Sequence, residues 1–221
     1  MKVLALGGSG GMGRFAVETS MDFENVDEIT VADINADAAI AFAASMNEKV
    51  KGIGLDVTNI GELKSVMKEA DVVINTVGPF FKYGPPILEA ALESDCDYLD
   101  INDDWEPTLE MLEFHEKAKN NSKTAILGMG ASPGLTNMLG AAAIGELDKV
   151  ETLYTGWTMD GAAPEEESSQ SGINAAMVHA VQQMTGTVRI HNDGKSMMVK
   201  PLKEIEVDFP GFGKFKPRIF G

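Results

Sequence analysis

A glycine-rich segment stands directly after the first apolar run of the chain. The run covers residues 3–6, and residues 7–13 read Gly-Gly-Ser-Gly-Gly-Met-Gly. Within this segment Gly8, Gly10 and Gly13 have the spacing GxGxxG, and residues with helical periodicity follow. A strand, a glycine-rich turn and a helix in this order are typical of the first unit of a doubly wound α/β sheet.

Short apolar runs alternate with segments of helical period as far as about residue 127. The predicted strands cover residues 3–6, 29–32, 53–57, 72–76, 98–101 and 125–127. The predicted helices cover residues 12–21, 37–48, 60–68, 86–94 and 107–120. Nearly continuous apolar strands that are separated by helices form a parallel sheet covered on both faces. We therefore predict a Rossmann-type doubly wound parallel sheet over residues 1–128.

The pattern changes after Gly128. We predict a helix over 135–144, a strand over 150–159, a polar loop over 160–172 and a helix near 173–183. Short strands are predicted at 187–191, 196–199, 205–209 and 215–219, and Asn192-Asp193-Gly194 is typical of a hairpin turn. Residues 129–221 are thus predicted to form a smaller, partial α+β domain for substrate binding or dimerisation, with a mixed or antiparallel sheet. Its apolar faces at 188–190 and 197–199 would be covered in a homodimer.

The charge and cysteine content exclude several functions. A formal net charge of -16 opposes binding to nucleic acid or to an anionic membrane surface. Cys96 is the single cysteine, which excludes a disulfide framework, and the histidines lack metal-ligand spacing, so we predict no metal site. The first apolar run is too short for a signal sequence or a membrane span. These features predict a cytoplasmic protein.

The glycine-rich segment is the predicted binding site for the pyrophosphate of a dinucleotide. The first glycine makes the turn, the second admits the phosphates to backbone amides, and the third lets helix and strand pack closely. The helix N-terminus adds positive potential. The candidate cofactor-binding residues here are Gly8, Ser9, Gly10, Gly11, Met12 and Gly13.

Asp33 closes the second predicted strand twenty positions after Gly13 and is placed to accept from both ribose hydroxyls of the adenosine. With Ile34 it completes the predicted adenosine end. A 2′-phosphate there would meet like charge, which favours NAD over NADP. Arg14 keeps NADP possible, because a basic side chain after the glycine segment can turn toward a 2′-phosphate.

Two further predicted strand ends point to the same edge of the sheet. Asp56 and Val57 close the third strand, where a carboxylate commonly meets the adenine amino group; the alternative is that Asp56 caps a helix. The fourth strand is closed by a segment expected beneath the nicotinamide ribose, namely Asn75, Thr76, Val77, Gly78 and Pro79.

Several motifs together resemble the saccharopine dehydrogenase and reductase family. They are the glycine-rich segment, Val-Ala-Asp at 31–33, Asn-Thr-Val-Gly-Pro-Phe at 75–80, Tyr-Leu-Asp at 98–100 and Gly-Ala-Ser-Pro-Gly-Leu-Thr-Asn-Met-Leu at 130–139. The resemblance implies an NAD(P)-dependent oxidoreductase that acts by hydride transfer on the C–N bond of an amino-acid- or polyamine-derived secondary amine. Members of the family are longer and return to the nucleotide domain at their end, so we expect a truncated chain or a shortened relative.

Such chemistry needs a general acid and base beside the nicotinamide, and the candidates are Tyr83, Asp100 and Asp103, of which Asp100 and Tyr83 are the predicted catalytic residues. Asp100 closes the fifth predicted strand, and the like charges of Asp103 and Asp104 would raise its pKa. The alternative for this acidic group is a solvated turn before a helix.

Two other readings of the chain compete with a family oxidoreductase. A short-chain dehydrogenase would need Tyr-x-x-x-Lys, and no tyrosine of the chain is followed by lysine at that spacing. A non-catalytic NAD(P)-binding sensor or scaffold remains the alternative, because a Rossmann domain fixes the cofactor and not the reaction.

Overall fold

The computed structural model describes residues 1–156, 181 and 184–219. The chain divides into two compact units, Met1–Ala162 and Ala163–Gly221. The boundary that we predict near residue 128 stays a prediction. The last strand of the first unit's sheet ends at Ile126, just before it.

The first unit contains a six-stranded parallel sheet in the order β3-β2-β1-β4-β5-β6. Its strands are β1 (Lys2–Leu6), β2 (Glu28–Asp33), β3 (Val50–Gly54), β4 (Val72–Asn75), β5 (Asp97–Asp100) and β6 (Ala125–Ile126). Its helices are α1 (Gly11–Met21), α2 (Ala36–Ala44), α3 (Ile60–Met67), α4 (Phe80–Glu93), α5 (Trp105–Leu112), α6 (His115–Asn120) and α7 (Leu135–Gly145). The predicted doubly wound parallel sheet is confirmed.

Alternate side chains of the central strand β1 enter two separate cores. Leu4 and Leu6 lie in one cluster with residues of α3 and α4. Val3 and Ala5 lie in a second cluster with residues of α1 and α2. Because successive residues of a strand point to opposite faces, a continuously apolar strand is buried on both faces only when helices cover both.

The predicted third strand, residues 53–57, is wrong by three residues at each end. β3 covers Val50–Gly54 and pairs with β2 through Gly52, Ile53 and Gly54. A Cβ added to Gly52 would lie 2.4 Å from the backbone oxygen of Ala39 in α2. The glycines therefore allow α2 to pack against this strand, although glycine is unfavourable in strands in general.

Three predicted helices also differ from the structure. The helix predicted over 37–48 ends four residues earlier, at Ala44. α4 begins at Phe80 instead of residue 86 and contains Pro85 and Pro86, where proline usually limits a helix. The predicted helix over 107–120 is divided into α5 and α6. The amides of Glu113 and Phe114 donate to carbonyls three residues earlier, and this tight turn separates the two helices.

The second unit contains two small antiparallel sheets in its described part. β7 (Val188–Asn192) and β8 (Lys195–Val199) form the predicted hairpin, with positive φ angles at Asp193 and Gly194. β9 (Val207–Phe209) and β10 (Gly213–Phe215) form the other sheet. β9 lies within the strand predicted over 205–209, whereas the strand predicted over 215–219 is wrong, because β10 shares only Phe215 with it. We predicted a mixed or antiparallel sheet for this part of the chain, and the antiparallel arrangement is confirmed for these four strands.

Other predictions for the second half have different outcomes. The helix over 135–144 is confirmed as α7. The strand predicted over 150–159 is wrong for residues 150–156, which are irregular, and residues 157–159 lie outside the described part. The predicted loop over 160–172 also lies outside it, as does the helix near 173–183 except for Val181, which is helical. None of the helices that the structure describes is long and apolar enough to cross a membrane.

Candidate functional site

The order of the strands creates a crevice at one edge of the first sheet. β1 pairs with β2 on one side and with β4 on the other. The chain adds β2 and β3 on one side of β1 and then crosses back to add β4, β5 and β6 on the other side, so the strand order reverses between β1 and β4. Ligands of open α/β sheets bind at such a point, outside the carboxyl ends of the strands. The segments that follow β1, β2, β4 and β5 all lie at this edge.

The glycine-rich segment is shaped by close backbone approaches. A Cβ added to Gly13 would lie 2.2 Å from the carbonyl oxygen of Gly7 and 2.7 Å from the Cα atom of Gly8. A Cβ added to Gly8 would lie 2.8 Å from the carbonyl oxygen of Ala5. A side chain at Gly13 would displace α1 from the segment, and one at Gly8 would collide with the backbone of β1. The structure thus explains why glycine stands at the first and third positions of the motif.

The same segment leaves helix amides available to a ligand. The amides of Gly7 and Gly8 donate to the carbonyl oxygen of Ala32, and the amide of Gly10 donates to that of Gly7. Gly10 is the N-cap of α1 and carries no capping side chain. The exposed start of α1 therefore presents backbone amides and the positive end of the helix dipole, which fit a pyrophosphate.

Asp33 ends β2 beside this segment. Its Oδ2 accepts from the Ser9 hydroxyl at 2.7 Å, and its Oδ1 accepts from the Asn35 amide at 3.1 Å. Ile34, the next residue, is 78% exposed and offers an apolar surface. The Nε of Arg14 donates to the Ser9 carbonyl at 2.7 Å, and its guanidinium lies 4.6 Å from the centre of the Phe42 ring. One carboxylate and one guanidinium thus flank the predicted adenosine end.

Asp56 and Val57 follow the end of β3 by two and three residues. The Asp56 carboxylate is exposed and accepts from the Thr58 hydroxyl and amide, which lower its pKa. The N-cap of α3 is Asn59, so the alternative that Asp56 caps this helix is wrong. Val57 is partly buried against the core. The adenine contact of these residues stays a prediction.

The segment after β4 is fixed to the start of the glycine-rich segment. The Thr76 hydroxyl donates to the carbonyl oxygen of Leu6 at 2.9 Å and lies 3.2 Å from that of Gly7. The Val77 amide donates to Asn75 Oδ1 at 3.0 Å. Gly78 and Pro79 then lead into α4, with Pro79 as its N-cap. The segment predicted to lie beneath the nicotinamide ribose therefore begins next to the segment predicted to bind the pyrophosphate.

Asp100 lies in a network without solvent exposure. Its Oδ1 accepts from the amides of Asn102 at 3.1 Å and Gly128 at 2.8 Å, and its Oδ2 accepts from the Tyr98 hydroxyl at 2.9 Å. Burial raises the pKa of the carboxyl, and the three hydrogen bonds oppose that rise. The main cause is therefore burial and not the like charge that we expected from neighbouring aspartates. The catalytic role of Asp100 stays a prediction.

Tyr83 lies in the first turns of α4 and is partly buried. Its amide donates to the Pro79 carbonyl, its ring packs against the core, and the Lys82 ammonium lies 4.8 Å from the ring centre. Its catalytic role also stays a prediction.

Sequence reasoning placed Asn75 at the end of the fourth strand but missed Tyr98 as part of the site, and with it the contact between the two residues. Both are buried, and the Nδ2 of Asn75 donates to the Tyr98 hydroxyl at 3.0 Å. The available signal was polarity within apolar runs, because a buried amide or phenol needs a hydrogen-bond partner. Within residues 1–156, 181 and 184–219, no group of three His, Cys, Asp or Glu side chains is arranged to hold a metal ion.

Most of the first unit matches a known protein family. A family model described as the saccharopine dehydrogenase NADP binding domain matches residues 3–126, more than half of the chain. The chain belongs to the saccharopine dehydrogenase family. The resemblance inferred from the motifs is thus confirmed, and the first unit is an NAD(P)-binding domain.

Relatives in the saccharopine dehydrogenase family include two informative proteins. Carboxyaminopropylagmatine dehydrogenase from Synechocystis sp. is 24% identical over 217 residues, covering 93% of this chain and 53% of the relative. Saccharopine dehydrogenase-like oxidoreductase from Bos taurus is 38% identical over 77 residues, covering 34% of this chain and 18% of the relative. The chain therefore spans about half the length of the first relative and less of the second.

A solved structure shares the fold. Saccharopine dehydrogenase (L-Glu forming) from Saccharomyces cerevisiae, in its apo form, matches with a TM-score of 0.57 and 24% sequence identity. The match covers 66% of this chain and 31% of that chain. The saccharopine dehydrogenase fold is therefore supported by structure as well as by sequence.

Proposed function

We propose that this chain is the NAD(P)-binding part of an oxidoreductase that acts on the C–N bond of an amino-acid-derived secondary amine. The observation that carries the proposal is the glycine-rich segment against α1, in which a Cβ at Gly13 would meet backbone at 2.2 Å. This geometry supports dinucleotide binding, and family membership connects it with dehydrogenases. The C–N specificity rests on the family resemblance.

The nicotinamide supplies hydride transfer when the cofactor is bound. Oxidation removes a hydride from the carbon next to nitrogen and a proton from the nitrogen, and the resulting imine takes up water to release a primary amine and a carbonyl compound. The chain's own contribution is to bind the phosphates at α1 and to hold the adenosine at Asp33. Between the two predicted proton-transfer residues, Tyr83 keeps partial exposure and Asp100 has none. Tyr83 is therefore the better placed for exchange with solvent.

Turnover of a secondary amine tests the reaction. The natural protein that contains this chain would be incubated with NAD⁺ or NADP⁺ and a panel of secondary amines derived from amino acids and polyamines. We expect one class to produce reduced cofactor together with a carbonyl product, detected by absorbance and by trapping with a hydrazine. Cofactor binding without turnover of any panel member would support the alternative of a non-catalytic sensor or scaffold.

We further propose that NAD is preferred over NADP, although the family description names NADP. Asp33 holds its carboxylate at the end of β2 through Ser9 and Asn35. A 2′-phosphate near this carboxylate would meet like charge, at a cost of about 4 kcal/mol for two unit charges 4 Å apart near a surface before salt screening. Arg14 is the opposing group, because its side chain is held beside the same segment by Ser9 and Phe42.

Thermal shift and titration with the four cofactors test this preference. We expect NAD⁺ or NADH to raise Tm more than the phosphorylated forms do, because a ligand that binds only the folded state stabilises it. Asp33→Ser should move the preference toward NADP by about tenfold or more. Asp37→Ser, which removes an exposed carboxylate in the first turn of α2, is the matched control and should leave the preference unchanged. Equal preference in wild type and Asp33→Ser would refute Asp33 as the selector.

The second unit is proposed to contribute to a homodimer. Met197 and Met198 of β8 are both more than 40% exposed, so each face of this hairpin carries an exposed apolar side chain. Sedimentation velocity tests this, and a monomer at all concentrations would refute it.

A further inference from the structure

A buried chain of hydrogen bonds joins two loops at the carboxyl edge of the sheet. It runs from the Val77 amide through Asn75, Tyr98 and Asp100 to the Gly128 amide. The successive donor–acceptor distances are 3.0, 3.0, 2.9 and 2.8 Å. Asn75, Tyr98 and Asp100 are each 0–1% exposed. We call these three side chains the buried polar chain.

The register of the strands explains how the buried polar chain forms. Asn75 and Asp100 are paired residues of β4 and β5, and Val73 is paired with Tyr98. Because side chains alternate along a strand, Tyr98 and Asp100 project to the same face of the sheet. The Tyr98 hydroxyl accepts from Asn75 and donates to Asp100, so the phenol uses both of its hydrogen-bonding functions between the two strand ends.

Each end of the buried polar chain accepts a hydrogen bond from the backbone of a loop. Asn75 Oδ1 holds the Val77 amide, at the start of the segment that precedes α4. Asp100 holds the amide of Gly128, and its backbone oxygen accepts from Met129 at 2.7 Å. Gly128 has a φ of +71°, and a Cβ there would lie 3.1 Å from the Asn102 carbonyl oxygen. The second loop is therefore held tightly against the end of β5.

These loops lie on the β4–β5–β6 side of the crevice, opposite the adenosine end formed by β1 and β2. We infer that Asn75, Tyr98 and Asp100 are positioning residues, which hold the loops after β4 and β6 in the arrangement that accepts the nicotinamide half of the cofactor. The inference rests on the proposed cofactor-binding function and assigns Asp100 a role that requires no contact with substrate. A raised pKa of this carboxyl is a consequence of the burial that the positioning requires.

Loss of a positioning residue should weaken binding of the nicotinamide half of the cofactor and leave binding of the adenosine half nearly unchanged. Tyr98→Phe removes one oxygen and leaves Asn75 Nδ2 and Asp100 Oδ2 without the phenol. We expect this variant to raise Kd for the preferred cofactor by about fivefold or more, because two buried hydrogen bonds are lost. Kd for ADP-ribose, or for 2′-phospho-ADP-ribose if NADP is preferred, should stay within about twofold because that ligand lacks nicotinamide.

Isothermal titration calorimetry on wild type and variants measures both constants. Tyr154→Phe makes the same chemical change at an exposed tyrosine and is the matched control. Asp100→Asn is the second variant and is tested by the same criteria if Tyr98→Phe fails to fold, since its amide keeps an acceptor for the Asn102 and Gly128 amides.

The outcomes separate the inference from the proposed function. A selective loss of affinity for the nicotinamide-containing ligand supports the positioning role. Parallel losses for both ligands, or unchanged affinities with a lowered Tm, would show that the buried polar chain only stabilises the fold and overturn the inference. Failure of wild type to bind either ligand would instead refute the proposed cofactor binding.

Discussion

Gly13→Ala should separate α1 from the glycine-rich segment. The new Cβ would lie 2.2 Å from the Gly7 carbonyl oxygen, whereas real Cβ atoms essentially never approach closer than 3.0 Å. The obstructing atoms belong to the backbone, so the helix start has to move by at least about 0.8 Å, and overpacking of this kind costs about 1–3 kcal/mol. For a protein of this size, Tm falls by about 2–4 °C for each kcal/mol.

The displacement also moves the amides that would hold the pyrophosphate. We expect Kd for the preferred cofactor to rise by about tenfold or more, because misplacement on the order of 1 Å strongly weakens preorganised sites. Denaturant unfolding and calorimetric titration measure the two effects on one preparation of the variant.

Gly61→Ala is the matched control because Gly61 also lies in the first turn of a helix. Its added Cβ would meet only Asn59 Oδ1, at 3.7 Å. Alanine is favoured over glycine in helices by about 1 kcal/mol, so this variant should be as stable as wild type or more stable. Equal cofactor affinity in Gly13→Ala and Gly61→Ala would refute the close-approach argument.

Three further predictions concern the first unit. Cys96 should resist a thiol reagent such as Ellman's reagent in the native state and react after unfolding, because burial raises its pKa to about 11; rapid native labelling would contradict this. Glu93 accepts from Lys117 and Lys64, which lower its pKa from 4.5 to about 2. A folded-state pKa below the unfolded value stabilises the fold above pH 4.5 and loses this contribution as the pH falls toward 2, so Glu93→Gln should lower Tm at neutral pH, with the difference disappearing in acid. A pH-independent difference would rule out the ion pairs as its cause. Leu4→Ala should destabilise by about 2–5 kcal/mol in denaturant unfolding because Leu4 has no exposed surface, whereas Leu139→Ala, at a 62% exposed position, should cost much less; similar losses would contradict the assignment of the core.

Much of the fold was predictable because strand periodicity and glycine spacing are local signals. β1, β2 and α1 follow directly from the apolar runs and from the glycines at 7–13. The position of β3 was not predictable from the same rules, since Gly52 and Gly54 weaken the strand pattern locally and are favoured only by their packing against α2. The start of α4 was missed because Pro85 and Pro86 indicate a helix boundary unless tertiary contacts outweigh their cost.

The parts of the candidate site that were predictable are the residues that end a strand or directly follow one. Asp33 and the glycines lie at the predicted edge, since position in a parallel strand specifies which edge a residue reaches. The Gly128 partner of Asp100 was not predictable, because its amide is 28 residues away and comes close only through the pairing of β5 with β6. The burial that raises the pKa of Asp100 likewise arises from distant segments and has no local signal.

The strand order also has a consequence for synthesis on the ribosome. The glycine-rich segment and Asp33 lie within the first 54 residues together with β1, β2 and β3, so they are made well before β4. The other side of β1 stays unpaired until Val72–Asn75 has been made. During that interval the nascent chain presents a free edge on a strand whose faces are both apolar, the arrangement most prone to pair with another chain. Rapid translation through β4 would therefore limit aggregation of the emerging protein.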